Sequence, residues 1–338
     1  MKVLLPGTAG GPGRPAPGCR CASCAEPPAG RRRPFELLVD GTVRFPFADV
    51  PPGYLAWGGG LGLTGPDGGT LLCVPPGREP PADLPDRLGL VLIDLLDRPE
   101  RLGLLRRAHP SVPAVAIGLD HRVRSEAELD RRLRLWGAAA VPDGTELEVP
   151  ARGTPLTGAG VLGAGGQVRR ALLLGGSRSG KSGEAESRLA AEPYVTYVAT
   201  GPSGAGDGEW AARVRAHRER RPAHWDTVET TDLAGVIGKA TAPLLIDGLG
   251  TWLAAVFDEH GAWEGDRAPV LRRCDELVAA WRQAPRPVVA VSDEVGMGVV
   301  PATASGRAFR DALGLLNERV AAESEYVALV VAGRVLEL

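Results

Sequence analysis

Along the second half of the chain, short apolar runs alternate with stretches in which apolar residues recur every three or four positions. "ALLL" (171–174) precedes a helical pattern from about 181, and "YVTYVAT" (194–200) precedes a charged helix expected near 208–220. "PLLID" (243–247) leads into the helical "LGTWLAAVF", and a long helix is expected over about 266–284. "VVAVSDE" (288–294) precedes a helix near 305–324, and "YVALVVAG" (326–333) closes the chain. Apolar strands separated by helices pair in parallel and are buried on both faces. The pattern over 170–338 therefore predicts an α/β fold, a mostly parallel sheet with helices on both sides.

The first half is less regular. Short strands are expected at "KVLL", "FELLVDG", "TLLCV" and "LGLVLIDLL", with Gly and Pro between them. One helix is signalled clearly: "SEAELDRRLRLWGA" (125–138) opens on a Ser cap with a Glu three residues on. Between the halves, "VPARGTPLTGAGVLGAGGQVRR" (149–170) lacks helical periodicity and is rich in Gly, Ala and Thr, which reads as a linker over 151–169. The expected division is 1–150, linker, and 170–338.

Composition narrows the partners. At 338 residues the chain has room for two domains, and 44% apolar residues with a net charge of -2 suit a globular protein. No strongly basic face argues for nucleic acid, and no apolar run reaches membrane-spanning length. The opening "MKVLLPGTAG" meets Gly and Pro too early for a signal peptide, so a cytoplasmic location is expected. Basic residues are almost all Arg; Lys occurs only at 2, 181 and 239.

One of those lysines stands where phosphate chemistry needs an ammonium. Gly175-Gly176-Ser177-Arg178-Ser179-Gly180-Lys181-Ser182 has the spacing of a phosphate loop and lies between an apolar strand and a helix. Its glycines let backbone N–H groups face phosphate oxygens, and the helix N-terminus adds its positive end. Lys181 would meet the outer phosphates of GTP or ATP, and Ser182 would hold Mg²⁺. Asp247, ending "PLLID", is placed either to hold that Mg²⁺ or to cap the helix after it.

A phosphate loop names a nucleotide, not a reaction. His217 in "RVRAHRERRPAHWDTVE" (213–229) can attack an α-phosphorus and form a phosphoramidate, with Arg213, Arg218, Arg220 and Arg221 spreading the charge. Alone, a His on such an Arg-rich helix is more often a solvated surface residue. "GGSRSGKS", "YVAT", "HRERRPAHW", "LLIDGLGTWL" and "SDEVGMGVVP…GRAFRDALGLLNERVA", in this order, resemble the bifunctional adenosylcobinamide kinase / adenosylcobinamide-phosphate guanylyltransferase of cobalamin biosynthesis. The resemblance covers about 170–338 and implies a P-loop, RecA-like domain. It implies phosphorylation of adenosylcobinamide by ATP or GTP, then transfer of GMP from GTP through a guanylylated His217, releasing pyrophosphate. It also implies nucleotide contacts at Ala199, Thr200, Glu219, Arg220, Arg221, Pro222 and Glu229, and a homo-oligomer. A carboxylate such as Glu229 suits the N1–H and 2-amino group of guanine. Asp293 departs from the Asn usual in the family, and "GMGVVP" reads either as a packing loop or as a substrate contact. The rival readings are a P-loop kinase or ATPase without guanylyl transfer, and a nucleotide-binding scaffold.

The first half carries Cys19-x-Cys21-x-x-Cys24, three thiols close enough to occupy three corners of a structural Zn²⁺ or to remain free. This opening, with "IGLDHRVRSEAELDRRLRLWGAAAVPDGTELEV", resembles metallo-β-lactamase-fold phosphodiesterases in shortened form. The resemblance implies a structural zinc completed by a late His, His121 first and His109 in reserve. The catalytic His-x-His-x-Asp-His signature is absent, so a degenerate, non-hydrolytic domain that docks, stabilises or regulates is expected.

Overall fold

The computed structural model describes residues 1–25, 31–151, 168–201, 215 and 221–338. Most of the expected linker lies outside these residues, as does the expected helix near 208–220 apart from Arg215. The described residues fall into two compact units: those of 1–166 with Ala190–Pro193, and those of 167–189 with 194–338. No helix among them is long and apolar enough to cross a membrane.

In the first unit the chain runs β1 (Lys2–Gly7), α1 (Ala22–Ala25), β2 (Glu36–Val39), β3 (Val43–Arg44), β4 (Leu55–Trp57), β5 (Gly62–Thr64) and β6 (Thr70–Val74). It continues through β7 (Leu90–Ile93), α2 (Glu100–Ala108), β8 (Ala114–Ala116), α3 (Glu126–Leu135) and β9 (Thr145–Glu148). Two sheets result, ordered β3-β2-β1-β9 and β4-β5-β6-β7-β8. The first is antiparallel, and the second becomes parallel across β6, β7 and β8. The continuous apolar run of β6 is explained by burial on both sides. Leu71 and Cys73 join Val3, Leu5 and Leu37, whereas Leu72 and Val74 join Leu102 and Leu105 of α2 and Leu129 and Leu133 of α3. The expected cap is present: Ser125 Oγ accepts from the Glu128 N–H at 3.1 Å.

In the second unit the order is β10 (Arg170–Gly175), α4 (Lys181–Leu189), β11 (Thr196–Ala199), β12 (Asp226–Glu229), α5 (Leu233–Gly238), β13 (Leu244–Asp247) and α6 (Leu249–Glu259). Then come α7 (Ala268–Arg282), β14 (Val288–Asp293), α8 (Ala304–Ala322), β15 (Tyr326–Val331) and β16 (Arg334–Glu337). The sheet order is β12-β11-β13-β14-β10-β15-β16, parallel except for β16, which returns antiparallel on β15. Alternate strand residues serve opposite faces, as period two requires. Leu172, Leu244, Ile246, Val288 and Ala290 pack with α5 to α8 around the fully buried Phe257 and Trp281. Leu173, Leu245, Val289 and Val291 pack with Ala185 and Leu189 of α4. The sheet is thus mostly parallel with helices on both faces, as expected. Its C-terminal strand ends gather the loops after β10, β11, β13 and β14, where parallel α/β sheets bind ligands.

Candidate nucleotide site

The phosphate loop is shaped by contacts that admit no side chain at two glycines. A Cβ on Gly175 would stand 2.6 Å from both Val330 O and Ser179 Oγ. Gly180 has φ +99°, and its Cβ would meet Gly333 Cα at 3.2 Å, so any larger residue is strained twice over. The loop closes on itself: the Ser179 N–H donates to Gly176 O at 3.2 Å, and the Gly333 N–H donates to Ser179 O at 2.7 Å. Ser177 and Arg178 form the crown, with Arg178 at φ +57°. Lys181 opens α4 with its side chain 9% exposed, its Nζ 3.0 Å from Gly176 O and 2.7 Å from Asp293 Oδ1.

One strand away stands Asp247, at the end of β13 and in register with Ala199 of β11. Ser182 Oγ donates to Asp247 Oδ1 at 3.3 Å, and Tyr197 OH donates to Asp247 Oδ2 at 2.5 Å. Sequence reasoning passed over Tyr197; its signal was a phenol in an otherwise apolar strand, which must find a partner once buried. Burial, joined by the Asp247 charge, pushes the phenol far above its ordinary pKa, so it remains a donor at any physiological pH. The Arg221 guanidinium lies over its ring, 3.2 Å from the centroid. The alternative role for Asp247, capping the following helix, is not taken: Gly248 occupies the cap position of α6, with no side-chain bond. Ser182 and Asp247 together offer a hydroxyl and a carboxylate, the oxygen donors Mg²⁺ prefers.

Thr200 continues from β11 and ties this edge together, its Oγ1 2.8 Å from Gly248 O and 2.7 Å from Thr251 Oγ1. β12 runs parallel to β11 and places Glu229 opposite Ala199, exposed at the same end of the sheet. Pro222 accepts a turn bond from the Trp225 N–H at 3.1 Å, just before that strand. His217, Glu219 and Arg220 lie outside the described residues.

Beyond Asp293, the stretch 295–301 leaves Met297, Val299 and Val300 at 73%, 95% and 63% exposure. These side chains project to solvent and join neither face of the sheet's core. Arg310 holds the base of the loop, donating to Gly296 O at 2.6 Å.

In the first unit, Cys19, Cys21, Cys24 and His121 each offer a ligand atom, and all four atoms lie within 4.8 Å of one another. Sulfurs around one tetrahedral zinc sit about 3.8 Å apart, given Zn–S bonds near 2.3 Å, so the set fits that ion. Hydrogen bonds from the Cys19 side chain and the Cys24 backbone hold the Cys21 thiol below its ordinary pKa. His109 does not join the group; it ends α2, where burial lowers its pKa.

A family model, cobinamide kinase / cobinamide phosphate guanyltransferase, matches residues 171–338. The bifunctional adenosylcobalamin biosynthesis protein CobU of Salmonella typhimurium is 40% identical over 174 residues, covering 48% of this chain and 95% of that protein. The corresponding protein CobP of Pseudomonas aeruginosa is 41% identical over 172 residues, covering 48% of this chain and 94% of its own length. Among solved structures, the P4 protein of bacteriophage phi6 in complex with ADP overlays 50% of this chain and 53% of its own, at 14% identity and a TM-score of 0.27.

Proposed function

The chain belongs, through residues 171–338, to the cobinamide kinase / cobinamide phosphate guanyltransferase family, and we propose that it performs both reactions on adenosylcobinamide through one phosphate-loop site. It is a transferase of cobalamin biosynthesis. The observation that carries the reading is the joint placement of Lys181, Ser182 and Asp247 at the strand ends of the sheet formed by the residues that match the family model.

In the kinase step the corrinoid hydroxyl attacks the γ-phosphorus of ATP or GTP, and the nucleoside diphosphate leaves. Lys181 and the loop N–H groups carry the phosphate charge, and Ser182 and Asp247 hold the Mg²⁺ that accompanies the nucleotide. In the second step His217 attacks the α-phosphorus of GTP, pyrophosphate leaves, and the phosphoramidate passes GMP to adenosylcobinamide phosphate. Arg220 and Arg221 spread the charge on the transferring group, and Glu219 and Pro222 are the family's nucleotide-contact positions in this chain. Glu229, exposed beside Ala199 and Thr200, accepts from guanine, which adenine cannot satisfy. The exposed apolar run at Met297, Val299 and Val300 supplies the surface that a macrocycle needs. The enzyme works in the cytoplasm as a homo-oligomer.

The first unit is a degenerate metallo-β-lactamase-like domain with no hydrolytic metal pair. Cys19, Cys21, Cys24 and His121 hold one structural Zn²⁺, which cross-links the 19–24 loop to residue 121. Covalent labelling by α-phosphate-labelled GTP tests the transferase reading. An unlabelled protein that still binds GTP favours the kinase-only alternative.

A further inference from the structure

The phosphate-loop lysine already has an anion. Asp293 ends β14, between β10 and β13, and its Oδ1 stands 2.7 Å from Lys181 Nζ. This placement is built into the fold at three points. The Asp293 backbone oxygen accepts from Asn317 Nδ2 at 3.0 Å, and Asn317 Oδ1 accepts from Ser292 Oγ at 2.6 Å. Both supporting side chains are buried, at 4% and 1% exposure. On the other side, a Cβ on Gly250 would stand 2.7 Å from Asp293 Oδ2, so the carboxylate is seated against the first turn of α6 and only Gly leaves it room. The Glu294 N–H, next in sequence, donates to Gly175 O at 3.3 Å and ties the segment to the start of the phosphate loop.

We infer that Asp293 is the resident counter-ion of Lys181 and that a nucleotide binds by exchange, its outer phosphates taking the lysine from the aspartate. The inference rests on the proposed nucleotide site and deepens it. Two anions cannot share one ammonium at full strength, and the half-exposed carboxylate faces the position the outer phosphates must occupy. Asp293 therefore weakens the hold on di- and triphosphates while leaving the base and α-phosphate contacts alone. When the γ-phosphoryl group has been transferred, the aspartate reclaims Lys181 and hastens release of the nucleoside diphosphate. A site that must exchange one nucleotide for the GTP of the next step gains by that. Asp293 acts through Lys181 and is a positioning residue, not a catalytic one.

The test is calorimetric titration of the full chain with GTP, GDP and GMP, in wild type and in Asp293→Asn. Loss of a partly exposed ion pair should tighten GTP and GDP by roughly two- to fivefold. GMP, whose phosphate stops short of Lys181, should bind with unchanged affinity, a split that general loosening of the fold would not produce. Asp293→Ser removes the charge without adding amide donors and should move GTP and GDP in the same direction. GTP affinity that is unchanged or weakened in both variants overturns the inference, as does equal tightening of all three nucleotides. A wild type that binds no GTP at all sinks the nucleotide-site reading and this inference together, so the two failures are distinguishable.

Discussion

Tyr197→Phe probes the least obvious part of the site. It deletes one hydroxyl, which donates to Asp247 Oδ2 at 2.5 Å, and keeps the ring on which the Arg221 guanidinium rests. A hydrogen bond to a charged group is worth about 1.5–3 kcal/mol, and the partly exposed Asp247 recovers some of that from water, so the lower end applies. The bond also fixes the carboxylate with its other oxygen toward Ser182. Supporting partners of a metal-holding group typically contribute 10–100-fold to metal affinity, and 1.5 kcal/mol corresponds to about tenfold. The expected result is a roughly tenfold rise in the Mg²⁺ concentration needed for half-maximal GTP binding, followed by fluorescence or calorimetry. GTP affinity in EDTA should stay within about twofold, because no phosphate contact is altered. An unmoved Mg²⁺ midpoint would refute the reasoning, as would equal weakening with and without Mg²⁺.

Further predictions follow from other parts of the structure. Gly180→Ala forces a side chain into a φ of +99° against Gly333, and should abolish nucleotide binding while lowering stability by about 1–3 kcal/mol, read by titration and thermal melting. The protein as purified should hold one equivalent of zinc by elemental analysis, and Cys21→Ser or Cys24→Ser should lower both that content and the melting temperature. Val299→Ser combined with Val300→Ser should raise KM for the corrinoid without changing GTP affinity; an unchanged KM would separate this exposed run from the substrate. Arg170, chiefly through its hydrogen bonds, holds the Glu325 carboxyl below its ordinary pKa. That pair therefore contributes stability above the usual glutamate range and loses it as pH falls through the lowered value. Glu325→Gln should accordingly flatten the acid limb of the stability profile.

The second unit was legible because its strands are apolar on both faces and its helices periodic: α8 was expected near 305–324 and spans Ala304–Ala322. What escaped notice there was short or polar. β12 is the four residues Asp226–Glu229, all exposed on an edge; β16 is a short exposed return; α5 is six residues with two glycines, held by its Asp232 cap. The two strands bury too little apolar surface to leave an alternating trace, and α5, though it buries Leu233 and Ile237, is too short for its period to register. In the first unit, β4, β5 and β8 have three residues each, too few for alternation to register. The phosphate loop could be read from spacing alone, since its chemistry depends on local geometry. The pairs Tyr197 with Asp247 and Asp293 with Lys181 could not, because strand order, not chain order, brings them together.

Guanylyl transfer through His217 is the proposed step on which the rest of the function depends. Incubation with Mg²⁺ and GTP labelled in its α-phosphate, followed by denaturing electrophoresis, tests it most directly. The expected result is a covalent, acid-labile label that disappears in His217→Ala, while that variant retains kinase activity. Label that persists in His217→Ala, or no label on protein that demonstrably binds GTP, would contradict it.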